Sequence, residues 1–392
     1  MFFDLVGLVR RQFSNPRIGD LYRDIRAYLP PDRFREFRRS WVTNNLIRGP
    51  RRRRRMERRH GCALPAIINV SPTEACNLRC RGCYASAYTR GLEMSEAQLE
   101  GLVSDARELG IHFIGLLGGE PLLRKDLLPL LGRHKDVAFR ISTNGTLLDD
   151  EIVGWLKGLG NVVIFFSLEG FEADTDWWRG EGVYRRIVEG MRWLRQERVL
   201  FGFSALLHAR NVTAVASPEF LDAMAAEGNR FGLFFPYGPV GMNQHFDLAL
   251  AESEVSDAFE RIDEMQTAYN MLLLKEGGCS PSRPGRTLEQ GCRAGLTVHV
   301  TPDGNVEPCN GIQFHTENAL EKGLLGVFCS PFYRAIHGCA RDNDGRCIAI
   351  FEPAQVIDLV ARHRARASNP AAIPCIERAA DRRRGEIGRC HS

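Results

Sequence analysis

The sequence lacks an apolar run long enough to cross a bilayer. Its longest runs, residues 162–166 and 231–236, fall far short of the roughly 18 residues that a spanning helix needs. A secretory signal is also absent, because no positive region precedes the apolar residues 1–9 and no small-residue cleavage site follows them. We therefore expect a cytoplasmic protein. Its 392 residues, 44% hydrophobic and 26% charged, suffice for two or three globular units and exclude a disordered chain.

Lysine is absent from the first 60 residues, which hold 17 arginines and 6 acidic residues. This segment carries a net charge of +11, so the formal net charge of +4 leaves −7 for the other 332 residues. Its apolar spacing predicts short amphipathic helices that are interrupted at Pro30 and Pro31 and end at Gly49 and Pro50. The arginine run at 51–55 would then be a solvated linker or, alternatively, a surface for an anionic membrane or a nucleic acid.

From residue 66 onward, apolar runs of strand length alternate with helical stretches. Strands are expected at 66–70, 113–117, 137–141, 162–168, 200–207 and 231–235, and helices near 95–109, 126–134, 149–158, 182–197 and 217–227. Ser95 with Gln98 predicts a capping box, and Asp149 predicts a second helix cap. Such alternation predicts βαβ units and an all-parallel sheet, open or rolled into a barrel, with ligands at the carboxyl ends of the strands.

Beyond Tyr237 the alternation is expected to stop. A helix is predicted near 252–275, a β-hairpin at 296–308, and irregular structure over 311–392. The chain is thereby divided into four segments. They are a basic helical extension at 1–60, the α/β unit at 61–240, a helical connector at 241–285 and a cysteine-containing domain at 286–392.

Three cysteines, Cys76, Cys80 and Cys83, directly follow the first predicted strand. In a reducing compartment cysteines more often serve as metal ligands or redox groups than as structural disulfides. A structural zinc site needs a closed set of four ligands, and the nearest candidate, Cys62, lies before the strand. Three thiolates instead suit a [4Fe–4S] cluster with one iron that has no protein ligand and can bind a substrate or cosubstrate.

This CxxxCxxC loop, with Tyr84 directly after its last cysteine, resembles that of the radical S-adenosylmethionine (SAM) superfamily. The resemblance implies a partial (β/α)6 TIM-type barrel and a [4Fe–4S] cluster whose fourth iron is chelated by SAM. It also implies an electron donor such as flavodoxin or ferredoxin. Reductive cleavage of SAM would give methionine and a 5′-deoxyadenosyl radical, which abstracts hydrogen from a substrate.

Further motifs at predicted strand ends resemble the SAM-binding positions of this superfamily. The sequence Gly-Gly-Glu-Pro at 118–121 matches the motif that holds the SAM amino group, and the positions after the third and fourth strands face its ribose and carboxylate. A glutamate, Glu169, stands where the fourth motif usually has aspartate. The implied SAM site consists of Tyr84, Gly118, Gly119, Glu120, Asn144, Ser167, Glu169 and Arg179.

The predicted hairpin and its flanking cysteines resemble the twitch or SPASM extension, which holds auxiliary iron–sulfur clusters. The implied auxiliary ligands are Cys292, Cys309, Cys347 and Cys375. Cys339, Cys329 or a substrate atom remain alternatives for the fourth ligand, and some of these cysteines could be small buried residues. Cys390 is a poor candidate because chain termini fray.

The substrate is left open by the sequence. An apolar lining for the substrate could come from Trp177, Trp178, Phe234, Phe235 and Tyr237, although aromatic residues at such positions often belong to the core. His208 could face the barrel mouth or merely end a strand. The favoured hypothesis is a radical SAM enzyme that abstracts hydrogen from an unidentified substrate. The basic N-terminus adds a further hypothesis, that the protein docks on the anionic inner face of a membrane to reach a lipid or other hydrophobic substrate. Alternatives are maturation of a ribosomally made peptide, tailoring of a sugar or small molecule, and a non-catalytic metal-knuckle protein that binds RNA.

Overall fold

A computed structural model describes residues 16–276, 292, 294–343 and 347–390. The strands are β1 (Ile67–Val70), β2 (Phe113–Leu116), β3 (Ala138–Thr143), β4 (Val162–Leu168), β5 (Phe201–Leu207), β6 (Phe231–Pro236), β7 (Leu272–Lys275), β8 (Thr297–Val300), β9 (Val306–Glu307), β10 (Phe314–His315) and β11 (Arg366–Ala367). Nine of them form one sheet in the order β7-β6-β5-β4-β3-β2-β1-β8-β9, and β10 pairs with β11. Within the nine-stranded sheet only β8 and β9 run antiparallel.

Helices occupy the connections between the parallel strands. In chain order they are α1 (Pro16–Tyr28), α2 (Pro31–Phe37), α3 (Gly49–His60), α4 (Glu96–Leu109), α5 (Leu127–Arg133), α6 (Asp150–Leu156), α7 (Glu172–Arg179), α8 (Val183–Gln196), α9 (Val212–Val215), α10 (Pro218–Glu227), α11 (Glu252–Met265), α12 (Ala319–Phe328), α13 (Pro331–Asp342), α14 (Ile348–Phe351), α15 (Pro353–His363) and α16 (Ala372–Cys390). No helix in the described ranges is long and apolar enough to cross a membrane.

The alternation from β1 to β6 confirms the expected partial (β/α)6 barrel. β3 and β4 are buried over almost their whole length, as expected for parallel strands covered on both faces. The capping box also forms, since Ser95 accepts from the Gln98 amide and its own amide donates to the Gln98 side chain. Asp149 caps α6 by accepting from the Ile152 amide at 2.9 Å.

The alternation does not stop at Tyr237, and the predicted helix over 252–275 is wrong at its end. The helix ends at Met265, and Leu272–Lys275 instead form β7, parallel to β6. Gln266 separates the two elements, because its side chain donates to the Met271 carbonyl and accepts from the Leu273 amide. The predicted hairpin is confirmed as β8 and β9, and β8 extends the sheet beyond β1. The expectation of irregular structure after 311 is wrong, because α12–α16 occupy most of it.

The N-terminal helices close the barrel at the amino ends of its strands. Trp41 donates to the Asn161 carbonyl at 3.1 Å and Asn44 to the Asp136 carbonyl at 2.9 Å, both in loops that precede strands. The predicted stop at Gly49 is wrong. Pro50 occupies the first turn of α3, where its missing N–H costs no hydrogen bond, and a π-helical segment (Arg38–Arg48) leads directly into this helix. The 51–55 run is therefore helical rather than a linker.

A disulfide between Cys62 and Cys329 contradicts the expectation that the cysteines would not form such bonds. α12 packs against α4, and the Leu324 amide approaches the Asp105 carboxylate at 3.4 Å. This packing carries Cys329, the residue after α12, to the segment that precedes β1. Because Cys62 and Cys329 are 267 residues apart in sequence, the sequence alone did not indicate that they lie close together.

Candidate active site

A cavity of about 750 Å³ lies at the carboxyl ends of the barrel strands. Every residue predicted to bind SAM or a cluster borders it. These are Cys76, Cys80, Cys83, Tyr84, Gly118, Gly119, Glu120, Asn144, Ser167, Glu169, Arg179, Cys292, Cys309, Cys347 and Cys375. The fold thus brings the two cysteine groups, more than 200 residues apart in sequence, to the wall of one cavity.

The first cysteine group lies in an ordered loop between β1 and a short 3₁₀ helix. Arg90 donates to the carbonyls of Cys76 at 3.3 Å and Leu78 at 3.4 Å. Burial raises the pKa of all three thiols in this loop, and that of Cys83 to about 12. A cationic metal centre overcomes such a shift, because metal binding deprotonates a coordinating thiol.

The chemistry of this loop fits an iron–sulfur cluster. Soft thiolates are the ligands that such clusters take from proteins. In the described part of the chain, no three His, Cys, Asp or Glu side chains are arranged to hold a single metal ion. The Arg179 guanidinium lies 3.9 Å from Cys80 Sγ and would place positive charge beside a cluster bound there. The three thiols at an open cavity therefore match a cluster with one iron left for an external ligand.

Glu120, in the loop after β2, accepts hydrogen bonds from its own loop and from the end of β3. Its Oε1 accepts from Thr143 Oγ1 at 2.8 Å and from the Leu122 amide at 3.1 Å, while Oε2 accepts from the Asn144 amide at 2.8 Å. Burial raises the pKa of this carboxyl, and these donors oppose the rise. A carboxylate has about four acceptor positions, so one remains available to a donor from a ligand.

The glycines of the same loop permit its close approach to the cluster loop. A Cβ on Gly119 would lie 2.0 Å from the Ala75 carbonyl oxygen, next to Cys76. Gly118 has a φ of +110°, which residues with a Cβ rarely adopt. The side chain of Asn144 ties the third strand end to the cluster loop as well, because it donates to Asn77 Oδ1 at 2.8 Å.

Glu169 and Arg179 form a buried, two-pronged ion pair. Nε and Nη2 of Arg179 donate to the two carboxylate oxygens of Glu169 at 2.6 Å each. Burial lowers the pKa of Arg179, but the charges of Glu169 and Cys80 outweigh it and raise this pKa overall. The Arg179 guanidinium is therefore cationic. The Glu169 carboxylate, at the position where the superfamily usually has aspartate, is paired with it.

Sequence reasoning missed two polar groups inside the barrel. Arg140 of β3 and Asn69 of β1 both border the cavity, and the arginine donates to the amide oxygen at 3.2 Å. The guanidinium also lies 5.8 Å from the rings of Phe113 and Phe165. The sequence held one signal for these groups, the charged Arg140 within the apolar run at 137–141. A charged residue in a buried strand needs polar or aromatic partners close to it.

A buried hydrogen-bonded chain beside the cavity was also missed. Ser71 Oγ lies 2.7 Å from His299 Nε2, His299 Nδ1 lies 2.7 Å from Glu307 Oε2, and Tyr88 donates to Glu307 Oε1 at 2.6 Å. Ser71, His299 and Glu307 are fully buried, so this serine is not accessible to a substrate. The chain instead connects the segment after Cys83 to the hairpin that leads to Cys309.

The second cysteine group has contrasting environments. A hydrogen bond from Cys347 is the main cause that lowers the pKa of Cys292 to about 7, whereas burial raises that of Cys309 to about 12. Cys375 Sγ donates to the Gly241 carbonyl at 3.1 Å. Cys339 instead contacts Gln355 Oε1 at 3.1 Å and does not border the cavity.

Two of the other predicted cysteine assignments have different outcomes. Cys329 is bonded to Cys62, so it is wrong as an alternative cluster ligand. The side chain of Cys390 lies outside the described residues.

The aromatic residues divide between the cavity and the core. Trp178, Phe235 and Tyr237 border the cavity, whereas Phe234 is fully buried in the core. His208 is buried too, its ring centre lies 4.8 Å from that of Trp178, and it is not among the residues that border the cavity. Burial lowers its pKa to about 4.

Comparisons with known proteins agree with this geometry. Residues 70–231 match the model of the Radical SAM superfamily. A probable GTP 3′,8-cyclase of Methanothermobacter marburgensis is 38% identical over 301 residues, 69% of this chain and 93% of that protein. An Fe-coproporphyrin III synthase of Methanosarcina barkeri is 34% identical over 166 residues, only 41% of either chain.

The same architecture occurs in a solved structure. SuiB of Streptococcus suis bound to S-adenosylmethionine superposes with a TM-score of 0.63, covering 76% of this chain and 72% of that chain at 18% identity. The family match runs from the last residue of β1 to the first residue of β6 and includes the three-cysteine loop. The chain belongs to the radical SAM superfamily.

Proposed function

We propose that this radical SAM enzyme removes a hydrogen atom from a predominantly apolar substrate bound in the 750 Å³ cavity. One observation supports this above all others: the three-thiol loop, the SAM-binding motifs and a largely apolar wall border the same cavity. The family cofactors are a [4Fe–4S] cluster and SAM. A cluster held at the three thiols would, when reduced, supply the electron for cleavage of SAM and so the means of hydrogen abstraction.

The residues of the chain hold and orient the reactants. Cys76, Cys80 and Cys83 would ligate the cluster, and Glu120 would accept a hydrogen bond from the SAM amino group through its remaining acceptor position. Arg179 would neutralise part of the charge at the cluster. Further SAM contacts would come from Tyr84, Gly118, Gly119, Asn144, Ser167 and Glu169.

An auxiliary iron–sulfur cluster would bind at Cys292, Cys309, Cys347 and Cys375. All four cysteines border the same cavity, and this shared position supports the assignment. The hydrogen bond between Cys347 and Cys292 brings two of these thiols together.

The cavity wall favours a hydrophobic substrate. Leu233, Phe235, Leu250, Ile350 and Phe351 contribute apolar surface to it, and binding sites with such walls recognise apolar ligands. By their names, the two relatives reported above make a tetrapyrrole and cyclise GTP, so the family offers no single substrate for this chain.

The test is anaerobic reconstitution with iron and sulfide, reduction with dithionite, and an assay for 5′-deoxyadenosine. Wild-type protein should release it slowly without a substrate, and Cys80→Ala should release none. Cys339→Ala is the matched control, because that thiol lies outside the cavity, and it should retain wild-type release. Release by Cys80→Ala at the wild-type rate would overturn the proposal.

We also propose peripheral docking of the protein on an anionic membrane through α3. Arg51, Arg55, Arg58 and Arg59 are exposed on this helix, and each arginine near an anionic surface contributes about 1 kcal/mol. Because α3 lies at the closed end of the barrel, docking would leave the cavity facing away from the membrane. The protein should co-sediment with phosphatidylserine vesicles and not with phosphatidylcholine vesicles, and equal binding to both would contradict electrostatic docking.

A further inference from the structure

Arg140 lies on the inner face of the barrel, near the middle of β3. Arg140 and Ser142 border the cavity, whereas Phe139 and Ile141, which alternate with them along the strand, belong to the main hydrophobic core. The arginine is only 6% exposed. A buried guanidinium is therefore part of the inner wall of the cavity.

The neighbouring strands restrict the position of this guanidinium. Asn69, Gly115 and Arg140 lie side by side in register on β1, β2 and β3, and Arg140 reaches across the glycine to donate to Asn69 Oδ1 at 3.2 Å. A Cβ on Gly115 would lie 2.3 Å from that oxygen and 3.3 Å from Arg140 Nη2, so the contact needs the space that glycine leaves. The rings of Phe113 and Phe165 lie 5.8 Å from the guanidinium.

An apolar cluster adjoins Arg140 at the closed end of the barrel. Its strand neighbour in register, Val163, belongs to a cluster with Phe165 and with Leu21 and Ile25 of α1. An apolar side chain at position 140 would extend this cluster without the desolvation cost of a buried charge. Ligand sites combine apolar walls with a few fixed polar groups that orient the ligand. Ligand recognition therefore explains the charge at this position better than packing does.

Polar and apolar groups meet beside Arg140 on the cavity wall. Ser204 of β5 borders the cavity and donates to Ser167 Oγ at 3.4 Å, which connects this part of the wall to the residues expected to bind SAM. Leu233 of β6 is the neighbour of Ser204 in register and begins the apolar wall. A guanidinium has five N–H donors in a planar fork, so it can keep protein partners and also hold an oxyanion.

We infer that the substrate is an amphipathic anion whose carboxylate or phosphate group binds Arg140. The hydroxyl groups of Ser142 and Ser204 supply further donors, and the apolar body of the substrate lies along the wall that begins at Leu233. The inference rests on the proposed function, because it assigns the substrate to the same cavity, and it adds the chemical class of that substrate. Arg140 anchors the substrate and takes part in no bond that forms or breaks.

The test is calorimetric binding of decanoate, decyl phosphate and 1-decanol to the anaerobically reconstituted enzyme with SAM. The three probes have the same apolar chain and differ in their head groups. Wild-type protein should bind at least one of the anions about tenfold more tightly than the alcohol, and the tighter anion identifies the group that Arg140 recognises. This comparison needs no variant. Equal affinity for all three probes, or no binding of either anion, would overturn the inference.

Variants then place the anion at Arg140. Arg140→Gln should lose the preference for the anion and still bind the alcohol, whereas Arg140→Lys should keep part of the preference, because its charge remains and its planar fork is lost. Arg383→Gln on α16 is the matched control, with the same change of charge at a residue that borders the cavity beside Phe351. It should keep the wild-type preference, and a loss equal to that of Arg140→Gln would overturn the inference.

The assay for 5′-deoxyadenosine separates failure of this inference from failure of the proposed function. Absence of its release by wild-type protein with dithionite would overturn the proposed function. The calorimetric preference does not depend on cleavage of SAM. Normal release of 5′-deoxyadenosine together with equal affinity for the anions and the alcohol would overturn the substrate class alone.

Discussion

Arg179 donates to both carboxylate oxygens of Glu169 at 2.6 Å, and its remaining terminal nitrogen lies 3.9 Å from Cys80 Sγ. One arginine thereby connects the end of β4 to the three-cysteine loop. Glu169 is fully buried, so its carboxylate depends on this partner for compensation of its charge. The two hydrogen bonds from Arg179 thus explain how a glutamate carboxylate can be buried at position 169.

Arg179→Met should destabilise the metal-free protein. It leaves the Glu169 carboxylate buried without a counter-charge, which costs about 3–5 kcal/mol of unfolding free energy. The double variant Glu169→Gln/Arg179→Met removes both charges and should recover part of that loss. Anaerobic urea denaturation measures both values, and an equal loss in the single and double variants would contradict a charge-based role.

Gly119→Ala should prevent assembly of the cluster site. The added Cβ would lie 2.0 Å from the Ala75 carbonyl oxygen, so the backbone before Cys76 must move. Iron retained after reconstitution should fall toward that of a Cys76→Ala variant. Gly101→Ala on α4 is the control, because its Cβ meets no atom within 4 Å, and a helical alanine should raise stability by up to about 1 kcal/mol. Wild-type iron content in Gly119→Ala would show that the close approach is dispensable.

His208 should make stability depend on pH in the acidic range. Burial lowers its folded-state pKa to about 4, below an unfolded-state value of about 6.5. Between these two values His208 is protonated in the unfolded chain and neutral in the folded protein. The contribution of His208 to the free energy of unfolding is therefore fully present above about pH 6.5, and it falls by up to about 3 kcal/mol as pH drops toward 4. His208→Phe should flatten this part of the profile while it preserves stacking on Trp178. Identical slopes for both proteins between pH 4 and 6.5 would contradict the prediction.

The Cys62–Cys329 bond should contribute stability without contributing iron sites. A cross-link between residues 267 positions apart restricts the unfolded chain by on the order of 5 kcal/mol. Cys62→Ser/Cys329→Ser should therefore unfold at lower urea concentration and keep wild-type iron content, whereas Cys309→Ser should lose iron. Iron loss in the double serine variant would instead make one of these cysteines a ligand.

Local signals predicted the barrel and most of its motifs. The apolar runs and the caps at Ser95 and Asp149 depend on neighbouring residues, and they correctly indicated strands and helices from β1 to β6. Because carboxyl ends of parallel strands meet at one edge, the topology then placed Glu120 and Asn144 at one cavity.

Long-range partners could not be predicted in this way. The bond of Cys62 with Cys329 and the contact of Ser71 with His299 join segments more than 200 residues apart, and nothing in either segment specifies the other. The short β7 was missed because Leu272, Leu273 and Leu274 suit a helix as well as a buried strand, and pairing with β6 decides between them.

The most direct measurement is electron–nuclear double resonance on the reduced, reconstituted protein with SAM labelled with ¹⁵N at its amino group. The account predicts a hyperfine coupling between this nitrogen and the cluster, because three thiolates leave one iron for SAM. Absence of that coupling in protein with a full complement of iron, or recovery of zinc in place of iron at the Cys76, Cys80 and Cys83 loop, would contradict it.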